Sequence, residues 1–456
     1  MSRESAEPGP SGRNLFDDIA FIDADDDQSD LEIEQEEVSS EEEDSIYTDR
    51  SRSRSRSRSR EINETGDTGD RTADATATPT TATDGWSLDC SEIGTNIVPF
   101  TSNVGPSHPL SFDAQPIHYF HQLVPEIFFQ KLADETNLYA AQKRQDKIRA
   151  QPNNDPPPQW TETTAAELKA FMAIHIFMGI NKMPNYRMYW SSDMTFNQAF
   201  VSNMMTRNRY EDLSSNFHVN DRTSNPPYGQ NGHDPLHKVR PILDLVQKTW
   251  PEHHNPHKEM CVDEAMIAFK GRCSFRQYLP AKPVKWGLKV WSICDSHTYY
   301  MLNMSVYTGK KNDLGNEGEP LGDRVVKKMT ESYYEKFHVV YIDNFFTSLP
   351  LVRFLLEHGT YCCGTIRVNR VGLPREIKNP RCVRKPGDIV RLQKDSIQAI
   401  AWFDRRKVTL VSTVHTSADN AVTRRRGATT DDPYLRPNAI EEYSKHYNGV
   451  DKNDQL

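Results

Sequence analysis

Three acidic positions in this sequence have the context for metal-dependent chemistry. Asp263 lies inside the strand-like stretch CVDEAMIAFKGR (261–272). Asp343 follows the nearly continuous apolar run HVVYI (338–342), at the strand end where open α/β sheets place their ligand sites. Asp451 and Asp454 stand three residues apart in a helical stretch and therefore share a face. A carboxylate beyond an apolar strand is costly to bury unless it is paired or bound to a metal. Several converging carboxylates repel one another, and hard divalent cations with oxygen ligands relieve that repulsion. Two such ions about 3.5–4 Å apart activate a water or a 3′-hydroxyl and stabilise the leaving oxygen in phosphodiester cleavage. An all-oxygen ligand set suits Mg2+ and Mn2+ alike. Taken singly, each Asp reads more readily as the cap of a strand or helix end.

A second pattern directly follows Asp263. Lys270, Arg272, Arg276, Lys282, Lys285 and Lys289 occur with no acidic residue among them, and Phe275, Tyr278 and Trp286 are interleaved. Such a stretch suits a phosphate backbone with aromatics free to stack, and also suits a solvated hairpin face. His253, His254 and His257 resemble a metal cluster, but the sequence around them offers no Cys or carboxylate at ligand spacing. Cys362 and Cys363 read as buried strand packing. Neither a phosphate-cradling Gly loop nor a Ser–His–Asp or Cys–His signature is present.

The elements that must position these residues fall into two halves. Helices are expected at 118–150, at 165–180 with Thr163 or Thr164 as N-cap, at 195–217 and at 237–250, with Pro251 and Pro256 closing this half. Strands follow at 259–269, 284–294 and 299–307, then a helix at 319–336 and the strand ending in Asp343. A helix at 348–359, stopped by Gly359, precedes a strand at 361–368. Three antiparallel strands, a helix, then strand, helix and strand is the order of an RNase H-like α/β core. Residues 369–435 interrupt it with 14 Lys/Arg against 7 Asp/Glu, and contain the strand KVTLVSTV (407–414). A last helix begins near Asn438, and the sequence stops at Leu456 inside it with no capping Gly or Pro, which reads as a truncated chain.

Composition sets the outer bounds. Residues 1–85 hold 24 of the 64 acidic residues and 9 of the 55 basic ones, so the remainder carries 46 basic against 40 acidic. An acidic tail thus hides a mildly basic body that attracts polyanions. Up to residue 110 the composition predicts disorder, including the acidic run EQEEVSSEEED (34–44) and the repeat SRSRSRSRSR (51–60), which reads as a solvated linker or as a nuclear-import or phosphorylation signal. The longest apolar run, AFMAIHIFMGI (170–180), is too short for a membrane span. No apolar signal-like stretch opens the sequence, and seven cysteines without a repeated spacing fit a reducing compartment.

These residues resemble a known family. DEAMIAFKGRCSFRQYLPAKPVKWGLKVWSICDS (263–296), VVYIDNFFTSLPL (339–351), CGTIRVNRVGLP (363–374) and YNGVDKNDQ (447–455) are similar, in order, to the catalytic segments of piggyBac transposases and their host-domesticated derivatives. MGINKMPNYRMYWSSD (178–193), MTRNRYEDLSSNFHVND (205–221) and KVRPILDLV (238–246) look like the family's helical N-terminal region. The resemblance implies DNA cleavage at terminal inverted repeats and rejoining at TTAA targets by a DDE/D-type, two-metal mechanism. It implies catalysis by Asp263, Asp343, Asp451 and Asp454, with the first three as ligands of Mg2+ or Mn2+. It further implies contacts to double-stranded DNA from the basic stretch and from Arg367 and Arg370, a homodimer, and a nuclear location. The expected domains are a tail (1–110), the first half of a dimerising, DNA-binding helical domain (111–258), the first part of the core (259–368), a basic insertion domain (369–435) and the helix of the third Asp (436–456). The family pattern continues with a second helical half-domain and a Cys-rich zinc module, and this sequence stops before both. The alternative is a domesticated DNA-binding or chromatin-associated protein that does not cut.

Overall fold

The computed structural model describes residues 85–91, 94–280, 282–309, 318–422 and 434–456. The acidic and Arg-Ser runs lie outside these residues.

The helical half opens with α1 (Pro116–Leu123) and α2 (Glu126–Ala150). The single helix expected over 118–150 is divided because Pro125 disfavours helical backbone at Val124, which sits at φ −127°, ψ 88°. Helix α3 (Ala165–Ile180) starts as expected, with the Thr164 hydroxyl accepting from the Glu167 N–H at 3.2 Å. Helices α4 (Ala199–Met204) and α5 (Arg207–Asn216) split the next expected helix, and Thr206 caps the second. Helix α6 (Arg240–His253) keeps Pro251 within its last turn. Phe129, Leu132, Leu168, Phe171, Ile174 and Leu213 form a core of their own here. The Arg209–Glu167 ion pair, at 2.6 Å, ties α5 to α3.

The second half is one mixed sheet with helices on both faces. A short pair, β1 (Gly105–Pro106) with β2 (His254–Asn255), marks the junction. Next come β3 (Glu259–Ala268), β4 (Arg276–Tyr278), β5 (Trp286–Asp295), β6 (Met301–Val306), α7 (Leu321–Thr330), β7 (Val339–Ile342), α8 (Leu349–Glu357) and β8 (Tyr361–Thr365). After α9 (Arg375–Lys378) follow β9 (Ile389–Lys394), β10 (Ile397–Phe403), β11 (Lys407–Ser412), β12 (Asp419–Val422), β13 (Tyr434–Pro437), α10 (Asn438–His446) and α11 (Gly449–Asn453). The order across the sheet is β4-β5-β3-β7-β8-β11-β10-β9, with β6 also on β5. Strand β3 is antiparallel to β5 and parallel to β7, and β7 is parallel to β8.

Side-chain alternation assigns the two faces. Met260, Val262, Val340 and Ile342 point to one face, packed with Val325 and Val326 of α7 and Leu351 and Leu355 of α8. Cys261, Ala265, Val339 and Tyr341 point to the other, packed with Ile440 and Tyr443 of α10 and Val450 of α11.

Two domain expectations change. Order extends well before residue 110, because Trp86 is only 1% exposed within the first of these cores and its indole N–H donates to the Gly372 carbonyl at 3.2 Å. Ser87 and Gln393 exchange two backbone hydrogen bonds. One tryptophan among polar residues does not move a composition average, so the sequence hid this anchor. Residues 369–435 are less separate than an insertion domain suggests, since β11 pairs with β8 (Val411 opposite Gly364) and carries β10 and β9 onto the central sheet.

Candidate active site

Strand register sets two of the three aspartates side by side. Val262 lies opposite Ile342 in the parallel β3–β7 pair, so the following residues, Asp263 and Asp343, are neighbours. Both share the parity of Cys261 and Tyr341, and therefore the face covered by α10 and α11. The Asp343 carboxylate accepts the Phe345 N–H at 2.9 Å and the Phe346 N–H at 3.4 Å, which fixes its orientation in the turn leading to α8. Burial, and then the Glu264 charge, push the Asp343 carboxyl up to about 6 against those two N–H groups. Asp263 is raised well above the usual carboxylate range by burial, then by Glu264 and Asp343.

The third carboxylate arrives on α11. This helix approaches β3 so closely that a Cβ at Gly449 would stand 2.5 Å from the Cys261 sulfur. Ser296 donates its hydroxyl to the His446 carbonyl at 2.8 Å, and the Asn453 amide donates to the Tyr299 carbonyl at 2.9 Å, so the end of α10 and the end of α11 are both tied to the β5–β6 turn. Asp451 then reaches the Asp263 cluster. The Lys282 ammonium stands 3.2 Å from its Oδ1 and also donates to the Glu264 carbonyl at 3.1 Å. Burial alone would lower the Lys282 ammonium, but the Asp263, Glu264 and Asp451 charges outweigh it and hold it above its usual range. Asp454 follows α11 rather than lying within it. Burial raises its carboxyl, opposed by the Met266 N–H.

The structure thus sets Asp263 and Asp343 side by side, brings Asp451 within electrostatic reach of Asp263 without closing the three to within 4.8 Å of one another, and adds two residues that sequence reasoning gave no place in this cluster. Glu264 is the charge beside both core aspartates, and Lys282, expected only as a DNA contact, is the cation among them. The rest of the basic stretch lies on and around the β4–β5 hairpin. Lys270, Arg272 and Lys285 are exposed. Arg276 bonds the Lys270 carbonyl at 3.1 Å and stacks over Trp286 with 4.9 Å to the ring centre. Lys289 lies 4.3 Å over Trp291. Arg367 donates to the Asn344 side chain at 2.9 Å and Arg370 to the Phe345 carbonyl at 2.6 Å, so both brace the turn after Asp343.

A separate cluster corrects the sequence reading of the histidines. His254 Nε2 and His257 Nδ1 lie 2.9 and 2.8 Å from one oxygen of Asp295, a residue 41 and 38 positions away that linear spacing could not supply. Asp295 is fully buried. Burial would raise its carboxyl, but hydrogen bonds to His254 and His257 and to backbone N–H groups hold it well below the usual range. Among the described residues this is the only trio of His, Cys, Asp or Glu whose ligand atoms all fall within 4.8 Å of one another.

Comparison with known proteins fits this geometry. The family profile described as Transposase IS4 matches residues 115–456. The chain belongs to this transposase family, and within it to the piggyBac family. It is 26% identical over 302 residues to human PiggyBac transposable element-derived protein 3, covering 64% of this chain and 49% of that protein. It is 23% identical over 371 residues to human PiggyBac transposable element-derived protein 5, covering 78% of this chain and 67% of that one. The chain therefore spans about half of the first of these relatives and two thirds of the second. A solved structure, the piggyBac transposase synaptic complex with hairpin DNA, superposes with a TM-score of 0.65 at 26% identity, covering 78% of this chain and 70% of that one. Among the described residues no helix is long and apolar enough to cross a membrane.

Proposed function

We propose that this chain is a piggyBac-type DDE/D transposase core, of RNase H-like fold, that cuts and joins phosphodiester bonds in double-stranded DNA. One observation supports the reading: strand register sets Asp263 and Asp343 side by side on one sheet face, and Asp451, on the helix that covers that face, adds its charge at Asp263. The donor set fits Mg2+ or Mn2+, because it is all carboxylate, and burial followed by neighbouring carboxylate charge raises the Asp263 and Asp343 carboxyls. Asp263, Asp343 and Asp451 would hold the metal, with Glu264 beside them. When bound, it supplies charge stabilisation for the phosphoryl oxygens and activation of the attacking hydroxyl. The protein's own part is placement. The Phe345 and Phe346 N–H groups hold Asp343 in one orientation, and Gly449 lets α11 seat Asp451. Exposed Lys270, Arg272 and Lys285 offer charge to a DNA backbone beside the cluster. Terminal inverted repeats with TTAA targets, homodimerisation and nuclear location follow from family resemblance.

Nicking of a piggyBac-type end flanked by TTAA, in Mg2+ or Mn2+, tests this reading. The expected result is metal-dependent nicking lost in Asp343→Asn, and nicking undiminished by that substitution would sink it. A second reading, a non-cutting DNA-binding protein, is favoured by the Lys282–Asp451 contact, which already supplies a cation to the cluster. It predicts DNA binding that is indifferent to Asp263→Asn and no nicking by the wild type.

A further inference from the structure

We infer that His254, His257 and Asp295 form a transition-metal site, matched to Zn2+, at the junction between the helical half and the sheet. Three segments meet there: β2 supplies His254, the loop before β3 supplies His257, and the end of β5 supplies Asp295. The site is distinct from the Asp263 cluster. Asp295 pairs with Met260, three residues along β3 from Asp263, a separation of about 10 Å at the usual rise per strand residue.

Charge is the first argument. Asp295 is fully buried, and a buried carboxylate needs compensation. The groups on its Oδ2 are two imidazoles and the His257 N–H, at 2.9, 2.8 and 3.1 Å. Neutral imidazoles offer hydrogen bonds but no net charge, whereas a divalent ion among the three offers both. Geometry is the second argument. Zn2+ takes His nitrogen and Asp oxygen at about 2.0–2.2 Å in a tetrahedron, which sets ligand atoms a little over 3 Å apart. The observed spacings of 2.8 and 2.9 Å are only slightly tighter, so a small opening of the trio admits the ion. The carboxylate is also aimed from behind, since its Oδ1 accepts the His297 N–H at 2.8 Å and the Thr298 N–H at 3.4 Å, as metal-ligating carboxylates are held. Access is the third. A cavity of about 760 Å³ is lined by His254, His257, Trp250, Thr298 and Tyr300, so the two histidines border space that has room for a fourth ligand such as water. Two imidazoles disfavour Mg2+, which prefers oxygen, so the two sites differ in metal preference.

The test uses the full chain stripped with a chelator and then titrated with Zn2+ against a chromophoric competitor. The expected result is one tightly bound Zn2+ per chain, retained in Asp343→Asn and weakened in His257→Ala by more than the roughly 10–100-fold typical of losing an outer-shell partner. His257 keeps 32% of its side chain exposed, so this substitution leaves the core intact, and a thermal melt checks the fold. Asp295→Asn, which keeps the shape and removes the charge, should weaken binding as well. Failure of the wild type to compete for Zn2+ would overturn the inference and leave the trio a hydrogen-bonded His–Asp hub. Undiminished binding in His257→Ala would place any bound zinc elsewhere and overturn it equally.

Discussion

Asp343→Asn separates a carboxylate kept for chemistry from one kept for stability. In the folded chain its carboxyl sits at about 6, against an ordinary 3.8. Two units correspond to about 3 kcal/mol, and discounting for the partial exposure of the side chain leaves about 1–2 kcal/mol. Because the folded value is the higher one, the proton is bound more tightly in the native state. The associated stability is fully present below pH 4 and is lost as pH rises through about 6. Asn never ionises, and its side-chain oxygen still accepts the Phe345 and Phe346 N–H groups. The variant should therefore match the wild type near pH 4 and exceed it by about 1–2 kcal/mol at pH 7.5, a melting shift of about 2–4 °C in metal-free buffer. Saturating Mn2+ should then raise the wild type and not the variant, since ligand binding to the native state alone stabilises it. Paired melts at the two pH values, with and without Mn2+, decide the matter. A variant less stable at pH 7.5, or a gain equal at both pH values, would refute the argument that the carboxylates are held together against their own repulsion.

Other substitutions probe the supports. Lys282→Met removes the cation from the cluster and should cost about 1–2 kcal/mol at pH 7.5 while enlarging the stabilisation by Mn2+, and an unchanged Mn2+ response would mean that Lys282 lies outside the metal's field. Gly449→Ala places a methyl against the Cys261 sulfur and should cost about 1–3 kcal/mol together with Mn2+ affinity, with partial recovery in the double variant Gly449→Ala, Cys261→Ala, and simple additivity in that cycle would contradict the contact. Trp86→Ala should cost about 3–5 kcal/mol in a urea titration, whereas a near-neutral effect would detach residues 85–91 from the core. Replacing Arg272 and Lys285 together by Ala should lower the slope of log K against log salt by about 2 in a duplex-binding titration, and an unchanged slope would remove the hairpin from the DNA path.

What the sequence made legible, and what it did not, divides by the range of the interaction. Strands β3, β5 and β7 and helices α3 and α8 are written in local signals: β-rich runs, the Thr164 cap, and the Gly359 stop. Asp343 stood out because its position after an apolar strand is itself a local fact. The α10–α11 break at Tyr447–Asn448 was not legible, because it is set by docking onto β3, where only Gly449 tolerates the approach to Cys261. Lys282 looked like any other member of a basic run until the return of α11 put Asp451 beside it. His254 and His257 looked partnerless for the same reason: Asp295 joins them only through β3–β5 pairing, which aligns Met260 with Asp295 and carries the carboxylate back to the loop. In each case the missing partner sits on an element brought in by sheet register, so charge balance at a site could be judged only after the strands were aligned. A buried Asp whose neighbours in sequence offer no cation is therefore a reason to look across the sheet, and here that search leads to Lys282 on one side and to a histidine pair on the other.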